Sequence, residues 1–497
     1  NGRRFIGFGG NWGFGESNLN YREREYDIAV AYHADMNFTM IRNWVGQIGD
    51  KEFYEACDRH GIMVWQDFWL ANPVDGPNPY YTEMFNANAC DYLKRIRNHP
   101  SIGIYVGRNE GNPPAGIDDY LRGLVFREHP GLYYISNSAM GVVSGGGPYR
   151  ALSPKSYFQS YGHDKFHSER GMPNVMNYES MLLTFGTDKI EPVNTSETPN
   201  PVYGLHDYTL GGGKGSSAQA ASSFNDMIEK AFGRPRDAKQ FAEWAQWINY
   251  DGYRAIFEGR SEHRRGMLLW MSHSAWPSMV WQTYDYYFDP NAAYFGGKKA
   301  SEPLHIQWNP LRDDIEVVNY HAFDRTGLTA TASLFNQDGT LQWTRETKLD
   351  IKEDQTVACF PLEQPETLSD TYFIKLSLTD SDGKQLSDNF YWRGKEDGNY
   401  KSLLQLPKVS VCKNVTVKKT GKEWLIRAVL KNEARTPALM LRLKVAGEKS
   451  GRMLLPVFYS DNYFSLLPGE VKEVDIRLYD ADTYGEKPVL EVLGFNL

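Results

Sequence analysis

Two carboxylates stand where strand-like segments end. In "RNHPSIGIYVGRNEG" (97–111) an apolar run from Ile102 to Val106 leads into Asn109 and Glu110, and "NPP" follows the glycine. In "FHSERG" (166–171) Glu169 closes a similar segment, two residues before a glycine. Taken singly, Glu110 reads equally well as a surface carboxylate opening the next helix, and Glu169 as an ion-pair partner of Arg170 or Lys165. Taken together they have a chemistry. Hydrolysis of a glycosidic bond needs two carboxyl groups on either side of it, one protonated and one ionised. The interval from 110 to 169 leaves room for about two strand–helix units and part of a third, which suits the fourth and seventh strands of a barrel.

The surrounding elements have to bring the pair together. "RFIGFGGNW" (4–12), "MNFTMIRNWVG" (36–46), "IMVWQDFWL" (62–70) and "IGIYVGRNE" (102–110) read as strands. Between them "DKEFYEACDRHG" (50–61) places Phe53, Ala56 and Cys57 on one helical face with Gly61 at the end. "TEMFNANACDYLKRIRNH" (82–99) does the same with Phe85, Ala89, Leu93 and Ile96. Segments 132–139, 156–162, 165–171 and 266–276 read as four more strand ends. The span from Gly171 to Gly266 reads as an insertion between the last two, holding a glycine-rich loop and a helix over 237–259. Repeated strand–helix units with polar strand C-termini predict an α/β fold, a (β/α)8 TIM barrel with its site at that face.

Near residue 310 the pattern changes to period two, with turns at "QDG", "SDG", "KTG" and "LPGE". This predicts two all-β, immunoglobulin-like sandwiches after the barrel. The expected division is 1–305 for the barrel, 306–398 and 399–497 for the sandwiches, with "KEDGNYKS" (395–402) as linker.

Composition narrows the partners. The net charge of -8 argues against nucleic acid. Aromatics make up 14%, including 13 Trp and 31 Tyr, which suits stacking on the apolar faces of sugars as well as an aromatic core. The four cysteines lack any C-x-x-C spacing, and no H-E-x-x-H pattern occurs, so neither a metal nor another cofactor is expected. "GGGKGSS" (211–217) has Gly where a phosphate loop needs Ser or Thr. No apolar run reaches the roughly 20 residues of a membrane span. The opening "NGRRFIGFGG" lacks an initiator Met and reads as a mature or trimmed piece, and a secreted or periplasmic location is the expectation.

The two carboxylate motifs resemble the acid/base and nucleophile motifs of glycoside hydrolase family 2. "MNFTMIRNWVGQIGDKEFYEACDRHGIMVWQDFW" resembles that family's second and third strands. "WQTYDYYFDPNAAYFGGKKASEPLHIQWN" (281–309) is similar to its exo-β-glucosaminidases and plant-type endo-β-mannosidases. The resemblance implies a retaining β-glycosidase, with Glu110 as acid/base and Glu169 as nucleophile. It implies Asn109 on the sugar 2-position, Arg42 holding Glu169 ionised, and Trp270 as the apolar wall. Asn11, Trp12, Trp65, Asp67 and Trp276 are further candidates for the pocket rim. The expected sugars are β-mannosides or β-glucosaminides, and where Glu110 is the acid, the mannoside side; β-galactosides and β-glucuronides are the alternatives. A second reading is a carbohydrate-binding or assembly module with an inactive barrel. Full-length family members carry further domains before the barrel, which are expected here to be missing or to lie on another piece. Arg108 stands where the family has a small or amide residue. Pointing inward it would favour an acidic or highly hydroxylated sugar.

Overall fold

The computed structural model describes residues 2–160, 162–195, 198, 200–206, 218–279 and 281–497, with 218–222 by backbone alone. Its first part runs β1 (Phe8–Trp12), α1 (Glu23–Asp35), β2 (Met40–Asn43), α2 (Lys51–His60), β3 (Met63–Asp67), α3 (Thr82–Ile96), β4 (Ile102–Arg108), α4 (Ala115–Glu128), β5 (Tyr133–Asn137) and β6 (Val143–Ser144). It continues with α5 (Pro154–Gln159), β7 (Phe166–Arg170), α6 (Tyr178–Phe185), α7 (Pro201–His206), α8 (Ala218–Phe232), α9 (Ala238–Glu258), β8 (Met267–Leu269) and α10 (Ala292–Ala300). The eight strands pair in parallel in the order β5-β4-β3-β2-β1-β8-β7-β6, the cyclic order of a (β/α)8 barrel. No β5–β6 ladder forms among the described residues. The interior is filled all the same: Met40, Trp65, Val106, Val143 and Leu268 cluster there, with Ile135 and Phe166 packed against them. Side chains from β2 to β8 therefore meet inside a curled sheet, and all strand C-termini face one mouth.

The helices follow the apolar spacing. Phe53, Ala56 and Cys57 of α2 are buried, as are Phe85, Ala89, Leu93 and Ile96 of α3. One expectation is overturned. Of the segment 156–162, read as a strand end, residues 156–159 lie instead in the short helix α5, which has Pro154 at its first turn and buries Tyr157 and Phe158. The sixth strand is only Val143–Ser144, ahead of a Gly-Gly-Gly-Pro turn, and two residues are too few to show a period. The insertion between β7 and β8 carries α6 to α9; "GGGKGSS" lies outside the described residues.

Fourteen further strands follow. β9 (Leu304–Asn309), β10 (Asp314–Asn319), β11 (Arg325–Asn336), β12 (Leu341–Ile351), β13 (Gln355–Pro361), β14 (Thr371–Thr379) and β15 (Gln385–Gly394) form sheets β13-β10-β9 and β12-β11-β14-β15. β16 (Val411–Thr420), β17 (Glu423–Asn432), β18 (Ala438–Gly447), β19 (Val457–Tyr459), β20 (Phe464–Leu466), β21 (Val471–Tyr479) and β22 (Pro488–Leu493) form sheets β16-β17-β21-β19 and β20-β18-β22. The turn at "QDG" closes the β11–β12 hairpin with Gly339 at φ 91°, a conformation that favours glycine. The first sandwich has its own core around Ile306, Leu334 and Ile374. The second shares one continuous apolar cluster with the barrel. Arg254 of α9 bonds Asn389 Oδ1 and Phe390 O at 2.8 Å and Asp251 at 2.7 Å, fastening barrel to first sandwich. Among the described residues no helix is long and apolar enough to cross a membrane.

Candidate active site

At the barrel mouth one arginine organises four elements. Arg42, at the end of β2, is fully buried. Its Nη1 donates to Glu169 Oε1 at 2.6 Å, its Nη2 to Asp67 Oδ2 at 2.6 Å and to Asn109 Oδ1 at 2.7 Å, and its Nε to Asp67 Oδ2 at 3.0 Å. Asp67 also accepts from Trp65 Nε1 at 2.7 Å and Val45 N–H at 3.0 Å, so its acceptors are spent on holding the guanidinium. The other oxygen of Glu169 accepts from Tyr149 Oη at 2.7 Å. Tyr149 lies in the loop after β6, so β2, β3, β4, β6 and β7 all end on one charge cluster.

Asn109 and Glu110 follow β4 directly. Asn109 N–H donates to Leu70 O at 2.9 Å. Its Oδ1 faces Arg42, which can only donate, and also accepts from Ser138 Oγ at 3.3 Å. That fixes the amide orientation and leaves Nδ2 as the end available to a ligand. Glu110 is half-buried at φ 47°, the left-handed region, which costs a non-glycine residue roughly 1–2 kcal/mol. Its N–H donates to Ser138 Oγ at 3.0 Å.

Burial pushes the Glu169 carboxyl up to about 7. The charge of Arg42 pulls it down, that of Glu110 pushes it up, and hydrogen bonds from Tyr149 and Arg42 pull it down. The charges of Glu169 and Glu110 also act on Tyr149, whose phenol is driven far up, first by burial. Both carboxyls therefore belong to one electrostatic neighbourhood. Arg42 favours the Glu169 carboxylate, as expected, but against burial it does not keep the group fully ionised at neutral pH. If the ionised form reacts, kcat/KM is lost as pH falls through about 7, which sets the acidic limb of the profile. Tyr149→Phe removes a donor that favours the carboxylate. The acidic limb then moves to higher pH, and the rate at pH 7 falls about 10- to 100-fold, the worth of one hydrogen bond to a charge. A pH–rate profile of both proteins checks this.

A model of the exo-β-D-glucosaminidase Ig-fold domain matches residues 389–497. Mannosylglycoprotein endo-β-mannosidase of Lilium longiflorum is 26% identical over the whole chain, and exo-β-D-glucosaminidase of Streptomyces avermitilis is 28% identical over the whole chain. The chain is thus similar over its whole length to exo-β-D-glucosaminidases and to an endo-β-mannosidase. It spans 63% and 59% of the length of those two relatives. The crystal structure of Amycolatopsis orientalis exo-chitosanase CsxA shares its fold, with a TM-score of 0.89 at 24% identity over all of this chain and 63% of that one.

Within the barrel the remaining candidates separate into two layers. Trp270, after β8, is partly exposed. It lies 4.9 Å from Trp44, 6.1 Å from Trp281 and 6.4 Å from Tyr149, centroid to centroid. With Trp44, Trp276 and Trp281 it walls a largely apolar cleft of about 320 Å3 beside the charge cluster. Asn11, Trp12, Trp65 and Asp67 are instead buried below, which corrects their reading as rim residues. Asn11 Nδ2 ties Ser168 O and Leu269 O at 2.9 Å, joining β1 to β7 and β8. Trp12 stacks on His273 at 4.1 Å, and Trp65 packs in the barrel interior. Arg108 points into the loop between β3 and α3. Tyr149 and Ser138 were not foreseen. A tyrosine after a glycine-rich turn and a serine after a strand carry no signal of their own; only the meeting of loops gives them partners.

Proposed function

We propose that this barrel is a retaining β-glycosidase acting on β-mannosides or β-glucosaminides by double displacement. The observation that carries the reading is Glu169, gripped through one oxygen by Arg42 and the other by Tyr149, within the field of Glu110. A Glu169 oxygen attacks the anomeric carbon, the bond to the leaving oxygen breaks, and the Glu110 proton passes to that oxygen. Glu110 then takes a proton from water, the water oxygen bonds the anomeric carbon, and the ester to Glu169 breaks. Arg42 and Tyr149 offset negative charge on Glu169 as it leaves, and Trp270 offers an apolar face to the sugar. The Nδ2 end of Asn109 suits an accepting 2-hydroxyl better than a 2-ammonium group, which favours β-mannosides within the pair. The division of labour is catalysis in residues 1–305 and support from 306–398 and 399–497. A secreted or periplasmic setting is the one in which such glycans are met.

A panel of nitrophenyl β-glycosides tests the proposal. Turnover of the mannoside above the glucosaminide, galactoside and glucuronide is expected, with the β-anomer as first product by NMR. Binding of the sugars without turnover of any would support the carbohydrate-binding module instead.

A further inference from the structure

Arg108 ends β4 two residues before Glu110 and is only 3% exposed. Its Nε donates to Ala71 O at 2.7 Å, Nη1 to Asn78 Oδ1 at 2.7 Å and Nη2 to Gly76 O at 3.4 Å. All three acceptors lie in the loop between β3 and α3. Among the described residues no carboxylate pairs with it. A buried cation held by neutral oxygens alone is a poor source of stability. What its planar fork does provide is a span across a loop, a reach that a lysine lacks.

That loop also touches the neighbours of Glu110. Leu70 O, at its base, accepts the Asn109 N–H at 2.9 Å. A Cβ on Gly111 would lie 3.0 Å from Pro73 Cδ, so loop and strand end are in close contact at that point. On the other side Ser138 holds the Glu110 N–H. The left-handed backbone of Glu110 is thus braced from both flanks, and Arg108 fastens one brace.

We propose that Arg108 is a positioning residue for proton transfer: by pinning the β3–α3 loop against residues 109–111 it aims the Glu110 carboxyl at the leaving-group oxygen. The inference rests on the glycosidase reading. Its mark is a dependence on the leaving group. A dinitrophenolate departs without a proton, whereas a sugar or methanol does not.

The experiment compares the dinitrophenyl and methyl β-glycosides of the sugar that the panel selects, using the full-length protein and its Arg108→Ala and Arg108→Lys variants. Arg108→Ala is expected to lower kcat/KM on the methyl glycoside by roughly 100-fold, the lower range for loss of general acid catalysis, and on the dinitrophenyl glycoside by less than about threefold. Azide, which needs no general base, should accelerate its turnover of the dinitrophenyl glycoside. Arg108→Lys should fall between. The ratio of two rates on one sample does not depend on the fraction that folds, so a poorly folding variant still reports. Equal losses on both substrates, without azide acceleration, would overturn the role of Arg108 alone. No turnover of either glycoside by the wild type would overturn the glycosidase reading beneath it.

Discussion

Glu169→Gln is expected to lower kcat by four to six orders of magnitude, on the order of what removing a covalent nucleophile costs elsewhere. The substitution keeps the shape of the side chain and an oxygen able to accept from Arg42 or Tyr149, so the fold should persist. Its effect on stability has a sign that can be checked. The Glu169 carboxyl lies near 7 in the folded protein and at 4.5 when unperturbed. Between those values the folded protein holds a proton that the unfolded chain releases. Stability linked to this group is therefore fully present below 4.5 and lost as pH rises through about 7. Glutamine mimics the protonated form. The variant should match the wild type in urea unfolding at pH 4 and exceed it at pH 8, the inverse of its activity. Azide rescue separates the two carboxyls: Glu169→Ala should yield the α-glycosyl azide, because azide enters where Glu169 stood, and Glu110→Ala the β-glycosyl azide. The opposite stereochemistry would exchange their roles.

Arg42→Met should act on folding and catalysis together. Its guanidinium pairs with Glu169 and Asp67 at once, and neither carboxylate has another cationic partner within ion-pair distance among the described residues. Removing one member of a buried pair costs roughly 3–5 kcal/mol, because the charge left behind stays buried. The loss should be largest above pH 7, where Glu169 would have to ionise, and should shrink as pH falls. The Glu169 carboxyl should rise further, carrying the acidic limb of the pH–rate profile with it. Adding Asp67→Asn removes one stranded charge, so the double variant should be more stable than Arg42→Met alone. A loss under about 1 kcal/mol at pH 8, or strict additivity of the two substitutions, would show that the network is not what holds the site.

Much of this was legible in the chain itself. The apolar run 102–106 ending on Asn-Glu and the segment ending on Ser-Glu-Arg placed two carboxylates at strand ends, and the interval between them suited β4 and β7. Helices α2 and α3 were readable because a buried stripe must repeat at three or four residues. The sixth strand was not, since two residues carry no period. The depth of Asn11, Trp65 and Asp67 was not readable either. A polar or aromatic residue near the end of a barrel strand has the same pattern whether it lines the rim or braces a neighbour, and strand tilt and stagger decide between them.

The amino-acid sequence by itself determined the barrel followed by two sandwiches, and the strand ends on which the two carboxylates stand, because periodicity and local motifs are properties of adjacent residues. Only the tertiary structure decided that Tyr149 and Ser138 join the site, that Asp67 serves Arg42, that Asn109 turns its amide nitrogen outward, and that Arg108 looks into a loop. Each depends on which loops meet above the strand ends. Charge and hydrogen bonding act through space over a few ångströms, between residues the chain keeps far apart.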